Sequence, residues 1–215
     1  MVTCVSSSWA ADEAQPHVTN MYQLITGENA EGDRSRWDAL YKSQKYIFGT
    51  EPAQVLQNNL DLLPKGKVLD IAMGEGRNAV FMASKGYVVE GVDISAEALR
   101  KAKKLARTRH VTIQTINADL TNYTLKPESY EVILNIHFLQ RNLIPEIKKG
   151  LKKGGVVVFE NYLEDQLIYQ PNLRRDFLLK KGELKEWFKD FDILVYQEFN
   201  NGKEAVATLI AKKRK

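Results

Sequence analysis

Cysteine and long apolar runs are what this sequence has least of. A lone Cys4, near one end, excludes an internal disulfide and a cysteine-based zinc cluster and argues against a thiol nucleophile. No run of about 18 apolar residues occurs, so no membrane-spanning helix is expected. No basic region followed by an apolar stretch opens the chain, so no secretory signal is expected and the protein reads as cytoplasmic. Repeats and low-complexity tracts are absent, and no metal is expected. Charge of one sign is not in large excess: 31 basic against 27 acidic residues leave +4. That surplus suits a polyanion only if it is gathered into one patch.

What is present describes one folded domain. The 215 residues are 44% apolar and 27% charged, enough to bury a core and too apolar for a disordered chain. Residues 1–35 lack periodicity and read as a flexible leader. From Trp37 onward aromatic and apolar residues recur, and 36–63 reads as a helical cover preceding a core over 64–215. Pro52 suits a first helical turn, with Val55, Leu56 and Leu60 at helical spacing behind it.

The core alternates short apolar runs with amphipathic helices. Val68–Ile71, Val88–Val92, Val111–Ile116, Val132–Leu134 and Val156–Phe159 predict five strands. Between the second and third, Ser95 can cap a helix whose Ala98, Leu99, Ala102, Leu105 and Ala106 share one face while its lysines face water. This rhythm implies right-handed crossovers and a parallel sheet covered on both faces. It breaks near the end, where Ile193–Tyr196 and Ala205–Ala211 are separated only by a turn-prone Asn200-Asn201-Gly202 region and predict an antiparallel hairpin.

The strongest chemical signal is Asp70-Ile71-Ala72-Met73-Gly74-Glu75-Gly76-Arg77-Asn78-Ala79, at the first strand-to-helix turn. Glycines there let a ligand approach the backbone, and the following helix presents unpaired N–H groups. Gly74-x-Gly76-x-x-Ala79 also matches the dinucleotide fingerprint, with Asp93 near the place of its ribose acid. Charge decides between the readings. Asp70 and Glu75 flank the loop and disfavour a pyrophosphate, whereas a ligand with an ammonium group gains from them. Asp93 at the next strand end can accept bonds from ribose hydroxyls, and Asp119 after the third strand from an adenine amino group. Three acids at successive strand ends fit S-adenosyl-L-methionine, whose demethylated product is S-adenosyl-L-homocysteine.

These residues, with Gly91-Val92-Asp93-Ile94-Ser95, Asn117-Ala118-Asp119 and Lys152-Lys153-Gly154-Gly155, resemble the class I S-adenosylmethionine-dependent methyltransferases. Trp37-Asp38, Phe48-Gly49-Thr50-Glu51-Pro52 and Gly74-Glu75-Gly76-Arg77-Asn78 resemble more narrowly the TehB-like small-molecule branch. The resemblance implies an α/β, Rossmann-like, seven-stranded sheet of order 3-2-1-4-5-7-6 with the last strand antiparallel. It implies a donor site of Asp70, Ala72, Gly74, Gly76, Arg77, Asp93, Ile94, Asp119, Leu120 and Asn135. Ala72 replaces the family's usual glycine, which is acceptable if its φ is negative.

Methyl transfer from a sulfonium chiefly needs alignment, so catalytic groups need leave no motif. Beyond the fourth and fifth strands lie His137, Glu160 and Tyr162. His137 reads as a proton acceptor or a hydrogen-bonded loop residue, and Glu160 as a base, a binder of cations or a structural partner. Arg141 is an anion binder or a surface charge. Tyr46 and Phe48 either cover the donor or merely pack. Arg77 and Asn78 can reach the donor's carboxylate or the cover. The expected partner is a small-molecule acceptor, with the chain a monomer or weak dimer. A nucleic-acid methyltransferase is disfavoured, because Asn135-Ile136-His137-Phe138 lacks the proline pair of the N-methylating enzymes and no second domain is present to grip a duplex. A nicotinamide-dependent oxidoreductase and a non-catalytic adenosyl-binding module are the readings of other classes.

Overall fold

Runs of Val, Ile and Leu with no polar alternation have no face to offer water, and the central ones become strands buried on both sides. A computed structural model describes residues 30–215. Cys4 and most of the expected leader lie outside the described residues. The remainder of the leader stretch, from Ala30, belongs to the first described helix, α1 (Ala30–Tyr41).

The strands are β1 (Lys67–Ile71), β2 (Val88–Asp93), β3 (Gln114–Asn117), β4 (Tyr130–Ile136), β5 (Leu151–Tyr162), β6 (Asp192–Asn200) and β7 (Ala205–Lys212). They form one sheet in the order β3-β2-β1-β4-β5-β7-β6. All pairings from β3 across to β5 are parallel, while β7 runs antiparallel to both β5 and β6. The expected order and terminal hairpin are both present.

Side chains alternate across the sheet with period two. Leu69, Ile133, Val157 and Phe159 enter one core with α5 (Ile144–Gly150) and α6 (Glu183–Trp187). Val68, Val132, Leu134 and Val156 enter the other, with α2 (Gln54–Asn58), α3 (Arg77–Ser84) and α4 (Ala96–Thr108). Ser95 caps α4 as expected, its hydroxyl accepting from the Ala98 amide at 3.1 Å.

Three details depart from the sequence reading. β3 is a four-residue edge strand, and Val111 and Ile113 pack against the α4 side of the core before it begins. The helix after Pro52 is short, starting at Gln54 and giving way to a 3-10 turn over Leu60–Leu62. Lys101 does not face water: it lies on the buried stripe of α4 with a side chain 4% exposed. At Gly91 of β2, a Cβ would fall 2.0 Å from Met73 Sδ, so the missing side chain makes room for the loop after β1 to fold back over β2.

Candidate functional site

Parallel strands all deliver their carboxyl ends to one edge of the sheet, where the crevice of an open α/β fold lies. Here that crevice is a cavity of about 550 Å³, within the size range of small-molecule sites. Its floor carries Asp70, Ala72, Gly74 and Arg77 from the first loop, Asp93 and Ile94 after β2, and Asp119 and Leu120 after β3. His137 and Phe138 after β4, and Asn161 and Tyr162 at the end of β5, form a second side. Trp37, Tyr41, Ile47 and Phe48 close it from the N-terminal segment, and Leu173, Arg174, Phe177 and Leu178 from the segment after β5.

Asp93 organises the end of the cavity beside the glycine loop. Its Oδ2 accepts from the Gly74 amide and its Oδ1 from the Ser95 amide, both at 2.8 Å, so one carboxylate ties the glycine loop to the start of α4. Burial pushes its pKa up to about 6 against the pull of those amides. Asp70 is 2% exposed, and its Oδ2 has no hydrogen-bond partner. Burial drives its pKa to about 7, with the Ala79 amide and the Arg77 charge opposing. An orphan buried oxygen is costly, which makes Asp70 the group most in need of a ligand donor. Asp119 Oδ1 accepts from the Thr121 amide and hydroxyl at 2.8 and 2.7 Å, an Asx turn that fixes its carboxylate at the rim.

The condition set for Ala72 is not met: its φ is +51°, in the left-handed region, so the missing glycine is replaced at the expense of strain. Gly74 also has positive φ, +53°, and a Cβ there would sit 3.1 Å from Tyr41 Oη. Tyr41 therefore rests directly on the glycine loop, stacked on Trp37 at 5.6 Å and edge-on to Phe48 at 6.3 Å.

Other residues singled out in the sequence stand elsewhere. Gly76 does not line the cavity; it caps α3 with φ +85° and faces Ala102. Asn135 lies beneath the floor, its Nδ2 donating to the Phe138 carbonyl at 2.6 Å and so shaping the turn that presents His137. Tyr46 packs outside against α4, its hydroxyl donating to the Lys101 carbonyl at 3.2 Å. Glu160 lies behind His137, accepting from the Thr208 hydroxyl at 2.8 Å, with its other oxygen 3.8 Å from His137 Nε2. Arg141 is not an anion binder in this arrangement. Its guanidinium forks onto Glu183 at 2.8 and 3.0 Å and donates to the carbonyls of Asp176 and Leu178. It holds the Arg174–Leu178 wall from outside, while Asn161 Nδ2 holds it from within through the Phe177 carbonyl at 2.8 Å. Asn78 reaches the cover, accepting from the Ala53 amide at 2.9 Å.

His137 stacks on Tyr162 at 5.0 Å, with its backbone at φ +56° pinned by an N–H bond to the Glu160 carbonyl at 2.7 Å. Desolvation in the cavity wall, then the charge of Arg77, lower its pKa to about 4. The imidazole is neutral at pH 7 and a weak proton acceptor. The Arg77 side chain makes no hydrogen bond or ion pair among the described residues.

Glu75 differs most from the charge argument made on the sequence. It is buried and ion-paired with Lys101, so its charge is neutralised inside the protein. Lys101 was missed, although a signal existed: three residues after Ala98 and four before Leu105, it falls on the apolar stripe of α4.

A family model described as "Tellurite resistance protein TehB" matches residues 36–205. The chain belongs to the TehB family. A Haemophilus influenzae protein named "Probable S-adenosyl-L-methionine-dependent methyltransferase TehB" is 27% identical over 166 residues, covering 69% of this chain and 57% of its own. This chain thus spans little more than half the length of that TehB relative. The "Ubiquinone biosynthesis O-methyltransferase" of Idiomarina loihiensis is 30% identical over 134 residues, 58% of this chain and 55% of its own. The crystal structure of TehB from Haemophilus influenzae superposes with a TM-score of 0.65 at 22% identity, covering 84% of this chain and 67% of that one. TehB and this chain thus share the fold.

Proposed function

We propose that the protein is an S-adenosylmethionine-dependent methyltransferase acting on a small-molecule acceptor. The observation that carries this reading is the buried, unpartnered Oδ2 of Asp70 on the cavity floor, one strand from Asp93. That oxygen fits an ammonium donor and disfavours a pyrophosphate oxygen, which separates the donor from a nicotinamide dinucleotide. Asp70 then receives the methionine ammonium, Asp93 the ribose hydroxyls and Asp119 the adenine amino group, with Ile94 and Leu120 supplying apolar contacts. When bound, the donor supplies a methyl group on a sulfonium, and its loss leaves S-adenosyl-L-homocysteine.

The chain's own work is alignment. His137, held neutral against Tyr162, orients the acceptor, and Phe138, Leu173 and Phe177 exclude water around it. An acceptor that arrives already ionised needs no base, which suits an imidazole too weakly basic to act as a strong one. Glu160 positions His137. No helix among the described residues is long and apolar enough to cross a membrane.

The test is calorimetric titration with S-adenosylmethionine, S-adenosylhomocysteine and NAD, followed by incubation with labelled donor and a panel of thiols, amines, halides, phenols and tellurite. Binding of the adenosyl ligands and transfer to one class is the expected result. Preferential binding of NAD refutes the donor reading, and donor binding with no transfer to any acceptor points to a sensor.

A further inference from the structure

The Glu75–Lys101 pair is costly to bury and is not needed to neutralise a ligand, so what it holds is informative. The Lys101 ammonium is ion-paired with Glu75 Oε1 and donates to the Ser43 carbonyl at 3.0 Å and the Lys45 carbonyl at 2.5 Å. The other Glu75 oxygen accepts from the amides of Ile47 and Phe48 at 2.7 and 3.3 Å. Every side-chain hydrogen bond of the pair therefore goes to backbone of residues 43–48. That stretch has no helix or strand, and Ser43, Gln44, Lys45 and Phe48 are exposed. Apart from Tyr46 against α4 and Phe48 against Tyr41, these charged groups are what hold it down. Yet it delivers Ile47, Phe48 and Gly49 to the cavity wall. Glu75, meanwhile, lies in the loop whose Gly74 amide is bound by Asp93.

We propose that Glu75 and Lys101 form a latch that fastens the 43–48 segment over the donor cavity, so that donor exchange requires this pair to release its backbone bonds. The proposal rests on reading the cavity as the donor site. Both are positioning residues: they set where the cover lies. Because the pair is buried, added salt screens it little, and the latch differs in this from a surface ion pair.

The test uses the full chain, with Lys101→Met and the double variant Glu75→Leu/Lys101→Met, which removes the acceptor as well as both charges. The double variant leaves no unpaired buried charge and guards against simple misfolding. Two readouts apply: hydrogen exchange of the Ile47 and Phe48 amides without ligand, and stopped-flow dissociation of S-adenosylhomocysteine. The latch predicts that both amides exchange at least tenfold faster while the Gly74 amide stays within threefold. It also predicts that the association and dissociation rates both rise at least tenfold while the affinity stays within threefold, a pattern that uniform destabilisation, which weakens binding, does not give. Unaltered exchange of those two amides in the double variant overturns the latch whatever the protein binds. Accelerated exchange with an unchanged dissociation rate overturns the gating role. Accelerated exchange in a protein whose wild type ignores S-adenosylhomocysteine overturns the donor reading instead.

Discussion

Lowering the pH from 7 to 5 puts the Asp70 assignment at risk in a single titration. The carboxyl is 2% exposed with one oxygen unpaired, and burial holds its pKa at about 7. A donor ammonium binds the ionised form, so below pH 7 association must first remove a proton. Each unit of pH then costs about 1.4 kcal/mol. Allowing for half-ionisation at pH 7, the affinity for S-adenosylhomocysteine should fall about 50-fold, or about 2.3 kcal/mol, by pH 5. Asp93, with its pKa raised to about 6, steepens the lower part of the curve. Calorimetry in buffers of different ionisation enthalpy reads both the affinity and the proton released. The contribution of Asp70 to the stability of the unliganded protein moves the opposite way. A folded pKa above the unfolded value means the native state holds more protons between about pH 4 and 7, so the stabilising contribution present below that window is lost as pH rises through it. Asp70→Asn should flatten both curves. An affinity independent of pH from 5 to 7, or an undiminished slope in the Asn variant, refutes the reasoning.

Ala72→Gly should raise the melting temperature, because relief of the left-handed φ, about 1–2 kcal/mol, exceeds the roughly 0.5–1 kcal/mol of chain entropy that glycine adds; a lower melting temperature contradicts it. His137→Ala should cut turnover at least tenfold with donor affinity within twofold, and wild-type turnover between pH 5 and 8 should show no titration of this imidazole, whose pKa lies near 4. Turnover unaffected by the substitution returns His137 to a purely structural part. Arg141→Ala should speed hydrogen exchange of the Arg174–Leu178 wall and cost about 1–2 kcal/mol of stability while leaving donor affinity unchanged; weakened donor binding with the wall still protected gives Arg141 a direct contact instead.

The frame was readable because hydrophobic period and turn chemistry act locally. Val68–Ile71 and Val156–Phe159 have no polar face, and the hairpin is spaced too tightly for a crossover. The convergence of Asp70, Asp93 and Asp119 on one cavity was readable for a related reason, since each lies at or just beyond a strand end and strand ends in a parallel sheet converge. Residues whose meaning depends on distant partners were not. Arg141 finds Glu183 and two carbonyls about forty residues away, and nothing near it in sequence foretells that. Glu75 looked like free negative charge because Lys101 lies one crossover further along the chain. The cavity wall from Leu173 to Leu178 lies in a stretch without periodicity, placed by hydrogen bonds to Arg141 and Asn161.

The antiparallel end of the sheet bears on how the chain reaches its native state. β7 is wedged between β5 and β6, with Val156 opposite Lys212 and Tyr162 opposite Val206. Until the hairpin docks, the apolar flank of β5 has an unsatisfied row of amides and carbonyls beside Val156, Val157 and Val158, a template for a foreign strand. These pairs lie 44 to 56 residues apart, and non-local pairing of this kind slows folding. Refolding yield should therefore depend on protein concentration more steeply than native stability does, with self-association arising from this open flank during the delay.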